Sequence, residues 1–239
     1  MMSTQEKKIV HLFISGSIGV GKSTTIEYIK RKLTGISGIY FMKEYIDYMQ
    51  DGEEMLQKSL NKEIEMLDFQ KYIVRSFTEQ LSKAREKACY CTQVIVWERH
   101  PLEALEIFAR MMSDDEKDVL RGLIHVMMSD FNIPDLKGDE ITYLLSFDTR
   151  MVTPLHVSEC LYNHLLNCIA SDIPVHMWVY LHCDVGAIEQ INRIINRGRE
   201  CEIKEYANTN KLMKINIYYQ SLYKRLVREM RIHFGELDN

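Results

Sequence analysis

The chain contains the sequence Gly16-Ser17-Ile18-Gly19-Val20-Gly21-Lys22-Ser23-Thr24, between an apolar run at 9–14 and a segment with a helical pattern. The glycines before Lys-Ser form the Walker A pattern, in which a strand, a tight turn and a helix start surround an anion with backbone N–H groups. It predicts that residues 16–24 hold the phosphates of a nucleoside triphosphate, with Lys22 on the outer phosphates and Ser23 on Mg²⁺. The alternative, a glycine-rich turn that only opens a helix, is disfavoured by the flanking patterns.

The composition is that of a globular protein, since 46% of the 239 residues are hydrophobic and 27% are charged. A chain of this length can bury one substantial core, so we expect a single domain over residues 1–239. Thirty basic and 34 acidic residues give a net charge of -4. We therefore expect neither a nucleic-acid partner nor a membrane partner.

Targeting and cysteine patterns point to a reducing compartment. Residues 1–8 resemble neither a secretion signal nor a convincing transit peptide, and no apolar run approaches the length of a membrane span. The six cysteines are scattered, and the close pair Cys89 and Cys91 has no second pair at metal-site spacing. A zinc site and a disulfide framework are therefore not expected, and we predict a cytoplasmic protein.

Strand and helix patterns alternate along the chain, which predicts an α/β fold with a central parallel sheet of four to five strands between helical layers. The predicted strands are 9–14, 39–42, 94–97 and 175–181, with 231–234 as a possible short fifth strand. The predicted helices are 53–88, 102–112, 114–128, 156–170, 185–196 and 208–230. In such sheets ligands bind beyond the carboxyl ends of the strands.

Acidic residues follow two of these strands. Glu44 comes two residues after the second strand, and Glu98 closes the third, followed by Arg99. Glu98 is placed to hold Mg²⁺, and Arg99 can bind a phosphate or a developing oxyanion. A solvated acid and a surface ion pair are the alternatives for these residues taken singly.

An arginine-rich segment follows the fourth strand. Arg193 and Arg197 are four residues apart on one helical face, and Gly198 lets the chain turn so that Arg199 can approach them. Such a set predicts a lid that neutralises a migrating phosphoryl group. A basic, solvated helix face is the alternative for any one of them.

These motifs, in this order from about residue 10 to 202, resemble the deoxynucleoside kinase family. That family includes the cellular deoxycytidine, deoxyguanosine and mitochondrial thymidine kinases, the insect multisubstrate enzyme and the herpesvirus thymidine kinases. Glu98-Arg99-His100-Pro101-Leu102 is similar to the acid-Arg-His-Pro signature of the herpesvirus branch, and the segment from Arg197 to Glu202 is similar to the family's lid. The resemblance implies a P-loop kinase fold, with ATP and Mg²⁺ as donor and metal.

The resemblance also implies roles for single residues. Glu44 matches the general base for the nucleoside 5′-hydroxyl, Arg99 orients that oxygen, and Glu98 lies at the metal. Glu202 matches the acid that binds the sugar 3′-hydroxyl, and Gln70 matches the glutamine that pairs with the base edge. The aromatic residues that pack around the base match Phe69 and Phe108.

Family members that prefer deoxycytidine carry an arginine and an aspartate where this chain has Phe77 and Ala104. The loss of both charges resembles the thymidine-accepting members, so we expect thymidine, with deoxycytidine or a broader range open. In the family, a tryptophan lies five residues after the catalytic glutamate. That position is Met49 in this chain, next to Tyr48. The tyrosine that partners the 3′-hydroxyl acid has no evident match in the chain.

Two other functions stay open. A nucleoside monophosphate kinase, notably thymidylate kinase, shares the Walker A loop, the acid-Arg pair and a lid, but needs more cationic groups for the acceptor phosphate. A nucleotide-binding switch or scaffold would keep the loop without catalysis. Helices at 102–128 and 156–170 carry more apolar positions than one face requires, and the family resemblance implies a homodimer through a helix bundle.

Overall fold

The computed structural model describes residues 9–86, 93–170, 176–183 and 187–234. Its strands are β1 (Ile9–Gly16), β2 (Ile39–Phe41), β3 (Gln93–Glu98), β4 (Tyr143–Asp148) and β5 (Met177–His182). Within the described residues they form one parallel sheet in the order β2-β3-β1-β5-β4. The central strand β1 therefore leads into the glycine-rich loop at the carboxyl edge of the sheet.

Helices connect these strands and cover both faces of the sheet. They are α1 (Lys22–Lys32), α2 (Tyr45–Tyr48), α3 (Gly52–Leu60), α4 (Met66–Glu86), α5 (Asp114–Phe131), α6 (Pro154–Ala170), α7 (Ala187–Arg197), α8 (Glu200–Tyr206) and α9 (Thr209–Phe234). A π-helical turn (Ala104–Phe108) and a 3-10 turn (Ala109–Met111) lie between β3 and α5. None of the described helices is long and apolar enough to cross a membrane.

The core has two halves because alternate residues of β1 point to opposite faces of the sheet. Phe13 packs with Trp97 and Trp178 on the face covered by α4, α5 and α9. Leu12 and Ile14 pack on the face covered by α1 and α6. Strands buried on both sides are typical of parallel sheets. The predicted fold, a P-loop kinase sandwich with helices on both faces of the sheet, is confirmed.

The edge of the sheet differs from the expectation. The prediction of a short strand at 231–234 is wrong, because α9 continues through these residues to Phe234. The fifth strand is β4, which pairs with β5 in the register Tyr143↔Met177 to Asp148↔His182. Since β4 lies at the edge and is only half-buried, its apolar run is interrupted by exposed Tyr143 and Ser146. Because of this interruption, β4 was not predicted from the sequence.

Two predicted helices also differ. The helix expected over 53–88 is divided, because a turn at 61–65 with Lys62 at φ 61° separates α3 from α4. The helix expected over 102–112 consists instead of the π-helical and 3-10 turns. The short helices α2 and α8 were not predicted. Residues 1–8, 87–88 and 175, and the pair Cys89 and Cys91, lie outside the described residues.

Candidate active site

The loop between β1 and α1 has the tight backbone that a phosphate cradle needs. Gly16, Gly19 and Gly21 have φ values of 137°, 78° and 96°. A Cβ on Gly16 would lie 2.2 Å from the Leu181 carbonyl oxygen, and one on Gly19 would lie 2.8 Å from the Gln190 carbonyl oxygen. Glycine is thus required at both positions, where the loop packs against β5 and α7.

Lys22, the first residue of α1, is buried at the centre of the site. Its Nζ donates to the Ser17 carbonyl oxygen at 2.8 Å and lies 3.7 Å from Glu98 Oε1. Burial and the charge of Arg99 lower the pKa of Lys22 to about 8, against the opposing effect of Glu98 and Glu44. A bound polyphosphate would reverse this shift, because it adds negative charge at the ammonium group.

The acids predicted after β2 and β3 lie beside Lys22. Glu44 Oε1 is 4.0 Å from Arg99 Nε, and Glu44 Oε2 is 3.7 Å from Arg199 Nη1. Burial would raise the pKa of Glu44, but Arg99 and Lys22 outweigh burial and hold that pKa below its ordinary value. Burial and the charge of Glu44 raise the pKa of Glu98 to about 7. The two carboxyl groups thus differ in basicity.

A cavity opens next to these acids. It extends from the carboxyl ends of β2 and β3 to α4 and α8, and aromatic and aliphatic side chains form much of its wall. Besides Ile18 of the phosphate-binding loop, nine of the residues predicted for the site line it: Glu44, Phe69, Gln70, Phe77, Glu98, Arg99, Ala104, Phe108 and Glu202. The structure therefore brings the predicted acceptor residues together around one space.

Two of the predicted cavity residues do not line it. Tyr48 lies on another surface, where its hydroxyl accepts a hydrogen bond from Lys83 Nζ at 2.6 Å, and Met49 follows it at the end of α2. The helical turn of α2 instead presents Tyr45 and Ile46 to the cavity. The assignment of Met49 and Tyr48 to the cavity is corrected on this ground.

An amide and aromatic rings also line the cavity. Gln70 is buried, and among the described residues its Nε2 has only a weak bond, to Met66 Sδ at 3.7 Å. The Phe69 ring packs edge-on against Tyr45, and the Phe108 ring lies 5.2 Å from the Arg99 guanidinium. Among the described residues that line this cavity, Arg99 is the only permanently charged cation.

The predicted lid arginines separate into two groups. Arg197 and Arg199 both donate to Glu202, at 3.3 and 3.0 Å, and Arg199 also donates to Asp47 at 2.8 Å. Arg197 reaches Ser23 Oγ as well, at 3.3 Å. Arg193 contacts another part of the loop, where it donates to the Gly19 carbonyl oxygen at 3.3 Å. In this arrangement all three arginines bind the protein's own carboxylates, Arg193 through Glu189.

Sequence reasoning missed three tyrosines and one acid of the site; the acid, Glu103, also lines the cavity. Tyr45 and Tyr206 line the cavity, and Tyr219 of α9 is hydrogen-bonded to Arg99. A signal for Tyr206 was available, because it follows Glu202 by four residues and so lies on the same helical face. Tyr45 directly follows Glu44. Tyr219 had no such signal, since it is 120 residues from its partner.

Comparison with known proteins gives a family match. A protein-family model described as deoxynucleoside kinase matches residues 12–144, which is more than half of the chain. A search of curated proteins found no match.

Solved structures that resemble this chain include deoxyadenosine kinase from M. mycoides. With bound dATP, that enzyme has 19% identity over 96% of this chain and 100% of its own, with a TM-score of 0.49. With bound dCTP, the same enzyme has 21% identity over 95% of this chain and 98% of its own, with a TM-score of 0.44. On the family match, this chain belongs to the deoxynucleoside kinase family.

Proposed function

We propose that the protein transfers the γ-phosphoryl group of ATP to the 5′-hydroxyl of a deoxynucleoside, with thymidine as the preferred acceptor. One observation carries the proposal: a single cavity beside Lys22 is lined by Glu44 and Arg99 and also by Gln70 and aromatic rings. A nucleoside has the matching groups, a reactive hydroxyl on its sugar and a hydrogen-bonding base that rings can pack against.

The phosphate-binding loop, Glu44 and Arg99 supply the chemistry of transfer. Residues 16–24 hold the triphosphate, and Lys22 binds its outer phosphates. The Glu44 carboxylate takes the proton from the 5′-hydroxyl as that oxygen attacks phosphorus, and Arg99 orients the oxygen. The low pKa of Glu44 keeps it ionised and ready to accept a proton at neutral pH.

The donor set beside the loop fits Mg²⁺. Hydroxyl and carboxylate oxygens are its preferred ligands, and the Ser23 hydroxyl and the Glu98 carboxylate would hold it there. No group of three or more His, Cys, Asp or Glu that could hold a metal occurs among the described residues, so phosphate and water oxygens would complete its shell. When bound, Mg²⁺ neutralises charge on the triphosphate.

The lid arginines bind the phosphates and exclude water when ATP is present. Arg197 and Arg199 would then leave Glu202, which frees this carboxylate for the sugar 3′-hydroxyl. Arg193, which donates to the loop at the Gly19 carbonyl oxygen, would serve the donor phosphates from there. Closure favours transfer over ATP hydrolysis because it removes the competing nucleophile.

The amide, acid and aromatic side chains of the cavity bind the sugar and the base. Gln70 offers a donor and an acceptor to the base edge, while Phe69 and Phe108 pack around the ring. Tyr206, one turn after Glu202 and also in the cavity wall, is proposed as the second partner of the 3′-hydroxyl. We base the preference for thymidine on the uncharged side chains of Phe77 and Ala104.

The lining of the cavity favours a nucleoside over a nucleoside monophosphate. A phosphate on the acceptor needs several cationic side chains to replace its hydration, and Arg99 is the one permanent cation among the described lining residues. Arg99 is already close to Glu44. A neutral acceptor therefore fits this wall better than a charged one.

The test is ADP release with ATP and Mg²⁺, measured with each of four deoxynucleosides and with thymidine monophosphate. We expect nucleoside-dependent ADP release, with the highest kcat/KM for thymidine. Absence of stimulation by every deoxynucleoside would refute the proposal, and faster turnover of thymidine monophosphate would assign a monophosphate kinase instead. The Lys22→Ala variant controls for contaminating kinases, since it removes the phosphate-binding ammonium.

We also propose that the protein is a homodimer through α5. Val119, Leu123 and Val126 form an apolar stripe on this helix and are 49%, 42% and 62% exposed. Gly122 lies within the stripe, and a Cβ there would have no atom within 4 Å. Glycine inside a helix costs about 1 kcal/mol relative to alanine, so its presence favours the close approach of a second helix.

A further inference from the structure

Two hydrogen bonds fix the position of the Arg99 guanidinium. Its Nη1 donates to the Gly16 carbonyl oxygen at 2.8 Å and to the Tyr219 hydroxyl. Its backbone has φ 78°, a left-handed conformation that is uncommon for arginine. These contacts draw the guanidinium toward β1 and α9, and its Nε stays 4.0 Å from Glu44 Oε1.

Tyr219 is itself fixed by a buried acid, Glu103. The Tyr219 hydroxyl donates to Glu103 Oε2 at 2.7 Å, and both side chains are fully buried. The other oxygen, Oε1, accepts from Ser15 Oγ, from the His100 backbone N–H at 2.9 Å and from Trp178 Nε1 at 3.2 Å. Donors from β1, β5, α9 and the segment after β3 thus meet at one carboxylate, which fixes its position.

The acid also decides which way the tyrosine hydroxyl points. A phenol has one hydrogen to donate, and in this network Glu103 receives it. The Tyr219 oxygen is therefore left with lone pairs, which accept the hydrogen bond from Arg99. A neutral side chain at position 103 would not impose this direction.

Without this anchor, Arg99 and Glu44 would be expected to close on each other. A guanidinium and a carboxylate in a shared buried site prefer a bidentate pair with N···O distances of about 2.7–2.9 Å. Such a pair would occupy the lone pairs with which Glu44 must accept a proton. At 4.0 Å between Arg99 Nε and Glu44 Oε1, the two side chains do not form such a pair.

We propose that Glu103 and Tyr219 are positioning residues that act through Arg99: they hold its guanidinium back from Glu44, so that Glu44 can serve as the base. This inference rests on the proposed roles of Glu44 and Arg99. It assigns a role in transfer to a polar network that would otherwise serve only to stabilise the core.

The first test is Tyr219→Phe, which removes the hydroxyl and keeps the ring. We expect kcat for thymidine to fall about tenfold or more, as for other small displacements of catalytic groups, with KM for ATP changed less than about twofold. The matched control is Tyr223→Phe on the same helix, whose ring stacks on Tyr180 at 5.1 Å. An unchanged kcat in Tyr219→Phe would overturn the inference, as would an equal loss in Tyr223→Phe.

The second test is a double-mutant cycle with Arg99→Lys, because a core-stabilising role would not give the same result. If Tyr219 acts through Arg99, then Tyr219→Phe lowers kcat in the wild-type background and has little further effect beside Arg99→Lys. The inference would be overturned if the loss of kcat in the double variant equalled the product of the losses in the two single variants. Glu103→Gln, in the same cycle, gives an independent reading should Tyr219→Phe fail to fold.

Failure of the proposed function would look different. If wild-type protein does not phosphorylate a deoxynucleoside, or if Arg99→Lys leaves kcat unchanged, then the underlying roles are wrong. If wild-type protein does phosphorylate a deoxynucleoside and Arg99→Lys does lower kcat, but the two losses multiply in the double variant, then only the role of Glu103 and Tyr219 is wrong.

Discussion

The Glu44 carboxylate lies among cationic side chains, with Arg99 and Arg199 within 4.0 Å of its oxygens. Glu44→Gln keeps the shape of this side chain and removes its basicity. We expect kcat to fall by about 10²–10⁴, the usual contribution of a general base, while calorimetry still detects thymidine binding. Glu54→Gln, at an exposed position of α3 that pairs with Lys58, is the control and should keep full activity. Near-wild-type turnover in Glu44→Gln would mean that another group accepts the proton.

Acceptor preference also belongs to single residues. Phe77 is buried and packs against Trp97 at 5.6 Å between ring centroids, so arginine alone at position 77 would bury an unpaired charge. The double variant Phe77→Arg/Ala104→Asp supplies a partner for that charge. We expect the ratio of kcat/KM for deoxycytidine to that for thymidine to rise about tenfold or more, since each charge-assisted hydrogen bond gained or lost contributes about 1.5–3 kcal/mol. Steady-state kinetics with both nucleosides, with Ala104→Ser as control, measures the ratio, and an unchanged ratio would remove the basis for the thymidine preference.

At the scale of elements, the start of α8 is tied to α2 by the ion pair between Arg199 and Asp47, at 2.8 Å. If Arg199 must leave this pair to bind ATP, then Asp47→Asn should make ATP binding easier. Asp47 is more than half exposed, so the effect is small: we expect KM for ATP to fall about two- to fivefold. Asp114→Asn breaks a comparable exposed pair, with Lys117 on α5, and should change nothing. A rise in KM for ATP would show that the pair supports ATP binding instead of opposing it.

Regular patterns made the central elements predictable. The Walker A spacing located the turn from β1 to α1, and the sequence Ser113-Asp114-Asp115-Glu116 located the start of α5, where the capping box is formed. Elements whose form depends on distant contacts were missed. The edge strand β4 is half-buried and lacks a continuous apolar run, and α2 is too short for a periodic signal.

The same distinction applies to the site. Glu44 and Glu98 could be located because strand ends meet at one edge of a parallel sheet. Tyr48 and Met49 were assigned to the cavity by their distance along the chain from Glu44. That assignment failed because the helical turn of α2 directs Tyr45 into the cavity instead. The contact of Arg99 with Tyr219 bridges 120 residues, and no local pattern reports a contact of that range.

For the whole molecule, three histidines with lowered pKa values predict how stability depends on pH. Burial and the neighbouring His176 and His100 hold the pKa of His11 well below its usual value, and burial lowers the pKa of both His100 and His176 to about 4. Between about pH 6.5 and 4 the unfolded chain therefore binds more protons than the folded one. The free energy of unfolding should therefore decrease as the pH is lowered through this range, by up to about 1.4 kcal/mol per pH unit for each histidine.

Urea unfolding from pH 7 to pH 4.5 measures this slope. His11→Asn keeps an acceptor for Trp97 Nε1, which donates to His11 Nδ1 at 3.0 Å, and should make the slope shallower. His125→Gln, at an exposed position of α5, is the control and should leave the slope as in wild type. Equal slopes in wild type and His11→Asn would show that this histidine is not the source of the acid sensitivity.

The proposed dimer is also a property of the whole molecule. Leu123→Glu places a charge in the middle of the exposed stripe on α5 and should convert a dimer to a monomer in sedimentation velocity. Ser129→Glu adds the same charge at an exposed polar position of the helix and should not. A wild-type protein that sediments as a monomer at all concentrations would contradict the proposed interface.

The most direct test of the proposed reaction is the identity of its product. Protein incubated with ATP, Mg²⁺ and thymidine is separated by anion exchange, and the nucleotides are identified by mass spectrometry. We predict ADP and thymidine 5′-monophosphate in equal amounts from wild-type protein, and a loss of at least about 100-fold in both from Glu44→Gln. ADP without phosphorylated thymidine would contradict the proposed transfer, as would phosphorylation at a position other than the 5′-oxygen.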